Sequence, residues 1–432
     1  MTLTIIAIIF VLGYLAIALE HPLKINKTAS ALFLGTLLWL IWFSSAATGG
    51  EEAIHATGHQ LFESFGELAQ ILFFLMGAMT IVAIIEKNDG FSIITNRIET
   101  ANVRTLMWVL SWIAFFFSAI LDNLTTTIVM VTLSRKLISD KTARLYFAGL
   151  IIIAANAGGA WSPIGDVTTT MLWIGGQISA DGIIHATFLA SVFSLLVPLV
   201  ILTFFLKGSV SRTEQQSKVE EIKPTAFERN ALFAFGLGGL LMVPIIKTVF
   251  HVPPYIAMLF SLGIVWAVVD ILKRKHGDKT PPRLLLHHVI KDVDNSSLLF
   301  FVGILLAVGV LGATGQLEYL AKVLETSIGD IRVITFSVGI LSAIVDNVPL
   351  VAATMKMYSL QTFPQDHLLW EFIAFCAGTG GSMLVIGSAA GVAAMGIDKR
   401  LSFGWYLKHI TPLAFAGYVA GALVYLLQRG AL

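Results

Sequence analysis

The chain has 432 residues, 56% of them hydrophobic and 13% charged, with a mean hydropathy of +0.83 and a net charge of +1. Soluble globular chains carry about 25% charged residues, so the composition excludes an ordinary soluble domain and points to a polytopic membrane protein. The near-neutral charge, with no polybasic block, gives no sign of nucleic-acid binding, and the single cysteine, Cys376, excludes an intrachain disulfide.

The N-terminal apolar run has no basic stretch ahead of it and reads as a retained first transmembrane helix. Runs of spanning length lie near 3–19, 29–46, 68–85, 187–206, 230–249, 256–272, 297–313 and 411–427. Glu63 and Glu67, near His55 and His59, precede the third run and read as a solvated loop or helix end. Four further stretches are irregular. Residues 105–134 and 331–359 are each interrupted near the middle, by Asp122-Asn123 and by Asp346-Asn347. Residues 145–177 and 369–397 are too long for one plain helix. The first is broken at Gly158, Gly159, Pro163 and Gly165, the second at Gly378, Gly380, Gly381, Gly387 and Gly391. The expected architecture is an all-α membrane protein of about ten transmembrane helices plus two re-entrant hairpins, with discontinuous helices.

Cytoplasmic loops retain Lys and Arg. With the N-terminus outside and both interrupted 30-residue stretches folded as hairpins, the loops at 20–28, 86–104, 135–144, 207–229, 273–296 and 398–408 fall inside. They hold 23 of the 28 basic residues, against three (Lys322, Arg332 and Arg429) outside. Threading the hairpins straight through would move whole basic loops outside.

The chain also repeats itself. "ILFFLMGAM" (71–79) resembles "LLFFVGILL" (298–306), "SAILDN" (118–123) resembles "SAIVDN" (342–347), and "GGAWSPIGD" (158–166) resembles "GGSMLVIGS" (380–388). The three matches keep their order at offsets of 227, 224 and 222 residues. In this topology the first hairpin opens to the cytoplasm and the second outward. Residues 1–207 and 229–432 therefore read as two inverted repeats, joined by a polar cytoplasmic linker at 208–228. Inverted repeats with broken helices point to a secondary transporter whose site lies near mid-membrane.

A helix broken inside a membrane leaves backbone groups unpaired, which is tolerated where they are buried in protein or line a cavity. The breaks coincide with oxygen-bearing side chains. The first half offers Asp122, Asn123, Thr126, Asn156, Asp166, Thr168 and Thr169; the second offers Ser342, Asp346, Asn347, Thr379, Ser382 and Ser388. Oxygen donors with carboxylates suit a hard cation, and Na+ is expected at Asp122, Asn123, Asp346 and Asn347. Each intramembrane aspartate costs roughly 2.5–3.5 kcal/mol on insertion scales, which argues against a merely structural set of three. Burial and mutual repulsion favour protonated carboxylates, whereas an entering cation favours ionised ones. One site that holds either a metal ion or protons is the minimum an antiporter requires.

Four motifs, "EHPLKINKTA" (20–29), "SAILDNLTTT" (118–127), "NAGGAWSPIGDVTTTMLW" (156–173) and "SAIVDNVPLVAA" (342–353), resemble those of the NhaD-type sodium/proton antiporters of the ion transporter superfamily. The resemblance implies a bacterial inner-membrane antiporter moving Na+ or Li+ outward against H+, with no cofactor beyond the transported ions. It also implies a homodimer in the lipid bilayer and an elevator-like transport domain bearing the two hairpins. By the same resemblance Asp122, Asn123, Asn156, Asp166, Thr168, Thr169, Ser342, Asp346, Asn347, Ser382 and Ser388 are functional. Sodium-coupled carboxylate transport and proton-coupled arsenite export, found in the same superfamily, are alternatives. An intramembrane aspartyl protease is disfavoured, because its Gly-x-Gly-Asp signature would need glycine where this chain has Pro163, and Tyr-Asp is absent.

Overall fold

The computed structural model describes residues 2–98, 100, 102–206, 208, 224–276, 281–291 and 293–431. The predicted linker at 208–228 lies mostly outside the described residues. Among them every regular element is helical. The first half runs α1 (Thr2–Ala18), α2 (Glu20–Leu23), α3 (Lys27–Ala47), α4 (Glu51–Lys87), α5 (Ser92–Thr95), α6 (Val103–Leu121), α7 (Asn123–Leu137), α8 (Lys141–Gly159), α9 (Val167–Ile174) and α10 (Ala180–Phe205). The second runs α11 (Ala226–Phe250), α12 (Pro254–Arg274), α13 (Leu286–Ile290), α14 (Asn295–Ala313), α15 (Gln316–Ser327), α16 (Ile331–Leu341), α17 (Asn347–Met357), α18 (Leu368–Gly380), α19 (Ala389–Ile397), α20 (Phe403–His409) and α21 (Thr411–Gln428). Of these, α3, α4, α6, α8, α10, α11, α12, α14 and α21 are long and apolar enough to cross a membrane.

Local sequence sets the helix starts. Thr225 and Glu228 form a reciprocal capping box at α11, and Pro254 opens α12, where a missing N–H is harmless. The apolar run at 68–85 is only the second half of α4, whose 37 residues extend for about 55 Å. Glu63 and Glu67 therefore lie within a helix and not at its end. Glu67 pairs with Lys356 at 2.6 Å beside a cavity of about 310 Å³, lined in part by Ser64, Gln70 and Gln177. Glu67 is exposed and Lys356 partly so, so Lys356→Gln is expected to change stability by less than about 1 kcal/mol, read as a melting temperature in detergent shifted by no more than a few degrees.

The core divides in two, and each part draws on both halves of the chain. One part joins α1, α3, α4 and α9 to α11, α12, α14 and α17; the other joins α6, α7, α8 and α10 to α19 and α21. Helices α3 and α14 approach closely through Gly35 and Gly303, where a Cβ at either position would meet the other helix's backbone at 2.2–2.3 Å. Packing between the halves is reciprocal: α7 lies on α19, and α17 lies on α9. At the far end of α7, Arg135 donates to the Ile397 carbonyl at 2.6 Å. The neighbouring Arg400 guanidinium holds the Asp398 carboxyl below the usual carboxylate range.

Candidate cation site

The four irregular stretches break as their residues suggested. Residues 105–134 become α6 and α7, parted at Asp122; residues 331–359 become α16 and α17, parted at 342–346. The other two become α8 with α9 and α18 with α19. In each case the residue before the second helix is its N-cap. Asp122 accepts from Thr125 N at 2.7 Å, Asp166 from Thr168 N at 3.0 Å, Asp346 from Val348 N at 3.2 Å and Ser388 from Gly391 N at 3.4 Å. Helix starts leave N–H groups without intrahelical partners, and a cap of this kind contributes about 1 kcal/mol. Asp122 takes a positive φ of 92° to do so.

One hydrogen-bonded cluster connects all four breaks. Asn123 donates through Nδ2 to Asn156 Oδ1 at 3.0 Å and to Asp166 Oδ2 at 2.8 Å. Asn156 Nδ2 donates to Ser388 Oγ at 3.0 Å. From the start of α17, Asn347 Nδ2 reaches the Asp166 oxygens at 3.5 and 3.4 Å. Thr168 completes the set, its N–H and hydroxyl each 3.0 Å from Asp166 Oδ1. Asp166 is 2% exposed and is the centre on which the starts of α7 and α17 converge. All its donors are neutral, and among the described residues it forms no ion pair. A buried carboxylate stabilised only by dipoles calls for a proton or a mobile cation.

Two small cavities flank it. One, of about 50 Å³, is lined by Asp122, Asn123, Asp166 and Thr170; the other, of about 20 Å³, by Lys27, Asn123, Asp166, Ser297, Asp346 and Asn347. Either has room for a water-sized occupant, which needs roughly 10–15 Å³. Asp122 and Asp346 are half-buried and stand at the cluster's two sides.

Most of the remaining candidates serve the backbone. Thr169 donates to the Asp166 carbonyl at 2.9 Å, Thr379 to Phe375 at 2.6 Å and Ser382 to Thr379 at 2.5 Å. The Thr126 hydroxyl is buried without a hydrogen-bond partner among the described residues. Ser342 donates to the Ala377 carbonyl at 2.8 Å, and Ser118, 224 residues earlier, donates to Ala155 at 2.5 Å. The break glycines permit equally matched contacts. A Cβ on Gly158 would stand 2.1 Å from the Phe115 carbonyl oxygen, and one on Gly380 2.0 Å from that of Gly339. Gly165 and Gly387 would strike the Ser118 and Ala343 carbonyl oxygens at 2.7 and 2.5 Å. Gly159 and Gly381 face the carbonyls of Gly165 and Gly387.

Sequence reasoning passed over two charged features. Lys27 counted as loop charge, yet its ammonium lies 3.9 Å from Asp346. Glu371 sits fully buried in α18, paired with Arg429 and accepting from Tyr425 at 2.8 Å. Its signal was a lone acid at the start of an apolar run.

The model of a family described as "Citrate transporter" matches residues 14–371. Sodium/proton antiporter 1 of Arabidopsis thaliana is 46% identical over 421 residues, covering 97% of this chain and 71% of that protein. The Na(+)/H(+) antiporter NhaD of Vibrio cholerae is 32% identical over 447 residues, covering 97% of this chain and 90% of that protein. The YdaH transporter of Alcanivorax borkumensis shares the fold, with a TM-score of 0.59 at 13% identity over 93% of this chain and 98% of that one. With relatives aligned along nearly its full length, the chain belongs to the NhaD-type sodium/proton antiporters, within the family whose model is described as citrate transporter.

Proposed function

We propose that the protein is a secondary active transporter exchanging cytoplasmic Na+, and Li+, for external H+ at the cluster around Asp166. The observation that carries this reading is the buried Asp166 carboxylate, held by neutral donors from three of the four helix breaks and forming no ion pair among the described residues. A proton or a cation can neutralise it, and the two exclude each other at one carboxylate. Asn123 and Asn347 each carry an amide that presents N–H to the carboxylate or, turned over, an oxygen to a cation, and Asn156 already holds its oxygen toward Asn123. Thr168 and Ser388 hydroxyls add further oxygens, and Asp122 and Asp346 supply negative charge on either side.

The inverted-repeat reading is supported by the matched serine and glycine contacts and by the reciprocal packing of α7 on α19 and α17 on α9. An elevator-type movement, a homodimer, an outside N-terminus and a bacterial inner-membrane setting belong to the same proposal. The test is proton flux in everted vesicles against Na+, Li+ and K+ over a pH series. Flux indifferent to every cation would refute it. Citrate is a second arm of that assay, because the matching family description favours a carboxylate; three carboxylates close to the cluster disfavour an anion there.

Thr168→Val keeps the size and the capping N–H but removes the hydroxyl that orients Asp166. Loss of one such hydrogen bond, about 1 kcal/mol, is expected to raise half-saturating Na+ about fivefold, measured as the Na+ dependence of proton flux.

A further inference from the structure

We infer that Lys27 is a tethered cation that shares Asp346 with the transported ion and thereby sets the affinity of the site; the inference rests on the cation-exchange reading above. Its backbone is fixed. Asn26 caps α3 by accepting from Thr28 N at 2.8 Å, Lys27 N donates to Glu20 Oε1 at 3.2 Å, and Thr28 Oγ1 meets Ser296 O at 3.0 Å. The side chain is not fixed in the same way. Its ammonium stands 3.9 Å from Asp346 Oδ2, too far for a closed hydrogen bond. Its other contact is with the Phe300 ring, 4.7 Å away. A flexible four-carbon stem lets such a charge withdraw without moving the helix, and at 27% exposure it has a way out.

Lys27 and Asp346 line the same small cavity as Asn123, Asp166 and Asn347, and that cavity holds about one water-sized occupant. A metal ion entering it would share Asp346 with a like charge a few ångströms away. Either the ammonium withdraws or the ion binds more weakly. Occupancy by the ion and engagement of Lys27 are therefore negatively coupled, and the coupling is reciprocal. Lys27 acts here as a positioning and affinity-setting residue: it occupies the carboxylate's field when the ion is absent and helps expel the ion on release.

The test uses the purified full chain in two assays. Thermal stabilisation by NaCl, balanced with choline chloride, reads binding; Na+-driven proton flux in proteoliposomes reads turnover. Lys27→Met is expected to lower half-saturating Na+ about tenfold in both assays and to lower the maximal rate, because release slows. Lys27→Arg, which keeps the charge, is expected to stay near wild type. In an Asp346→Asn background, Lys27→Met should no longer shift the stabilisation midpoint. Should Lys27→Met fail to fold, Lys27→Gln carries the same comparison. An unchanged or raised Na+ midpoint in the neutral variant would overturn the inference, as would Lys27→Arg behaving like Lys27→Met. Wild-type protein that responds to Na+ in neither assay would overturn the exchange reading itself.

Discussion

Asp166→Asn is expected to abolish most Na+-driven proton flux while leaving a folded, helical protein. Removing one member of a buried charge interaction costs roughly 2–5 kcal/mol, equivalent to a loss of about 30-fold or more in apparent ion affinity. The fold survives because asparagine caps helices about as well as aspartate, so the bond from Thr168 N to position 166 is kept. The new amide nitrogen, however, faces the donating nitrogens of Asn123 and Asn347. A melting temperature lowered by a few degrees with flux near background is the expected pair of results. Flux within threefold of wild type would remove Asp166 from the centre of the mechanism. Asp122→Asn is the informative companion. That carboxylate already accepts from Thr125 N and Thr125 Oγ1 and flanks the cluster without bonding to it. Its loss is expected to weaken ion binding less than the loss of Asp166.

Gly158→Ala and Gly380→Ala are expected to be among the most destabilising single substitutions in the chain. Each added methyl would lie about 2 Å from a backbone carbonyl oxygen, of Phe115 and of Gly339, where no side-chain rotation relieves the clash. Overpacking of this kind costs typically 1–3 kcal/mol and more where only backbone can move. Pushing α8 from α6, or α18 from α16, would also misplace the hydrogen bonds from Ser118 and Ser342 across the same contacts. Gly396→Ala is the control, with nothing within 4 Å of its Cβ. Thermal unfolding in detergent should show both contact variants well below wild type and Gly396→Ala close to it. Equal melting temperatures for all three would contradict the packing described.

Much of this architecture was legible because the bilayer makes hydropathy informative. The runs at 29–46, 230–249, 256–272 and 297–313 differ from α3, α11, α12 and α14 by a few residues at most. The four breaks were legible for a related reason, since Asp-Asn pairs are costly in hydrocarbon and clustered glycines weaken a helix. The first half of α4 was not, because a helix that extends beyond the apolar layer leaves no hydropathy signal. Within the cluster, residue types revealed the members but not their ranking. Asp122 and Asp346 drew notice through their repetition, yet Asp166, which the sequence match of 158–166 with 380–388 sets against Ser388, is where the donors meet. The capping pattern was present in the sequence, as Asp-Asn-Leu-Thr and Asp-Val-Thr, but membrane context made the aspartates read first as ligands. Lys27 could not be ranked at all, since its approach to Asp346 spans more than 300 residues of chain.

The dipole-only surroundings of Asp166 bear on slippage. A carboxylate neutralised by no fixed partner is electrically neutral when it holds a sodium ion and neutral when it holds a proton. It is charged only when it holds neither. Carrying a bare charge through a low-dielectric layer costs several kcal/mol even after relaxation, whereas either loaded form avoids most of that penalty. In the exchange mechanism proposed above, the vacant site is thus the form least able to change sides, and electrostatics would discourage an uncoupled leak of either ion.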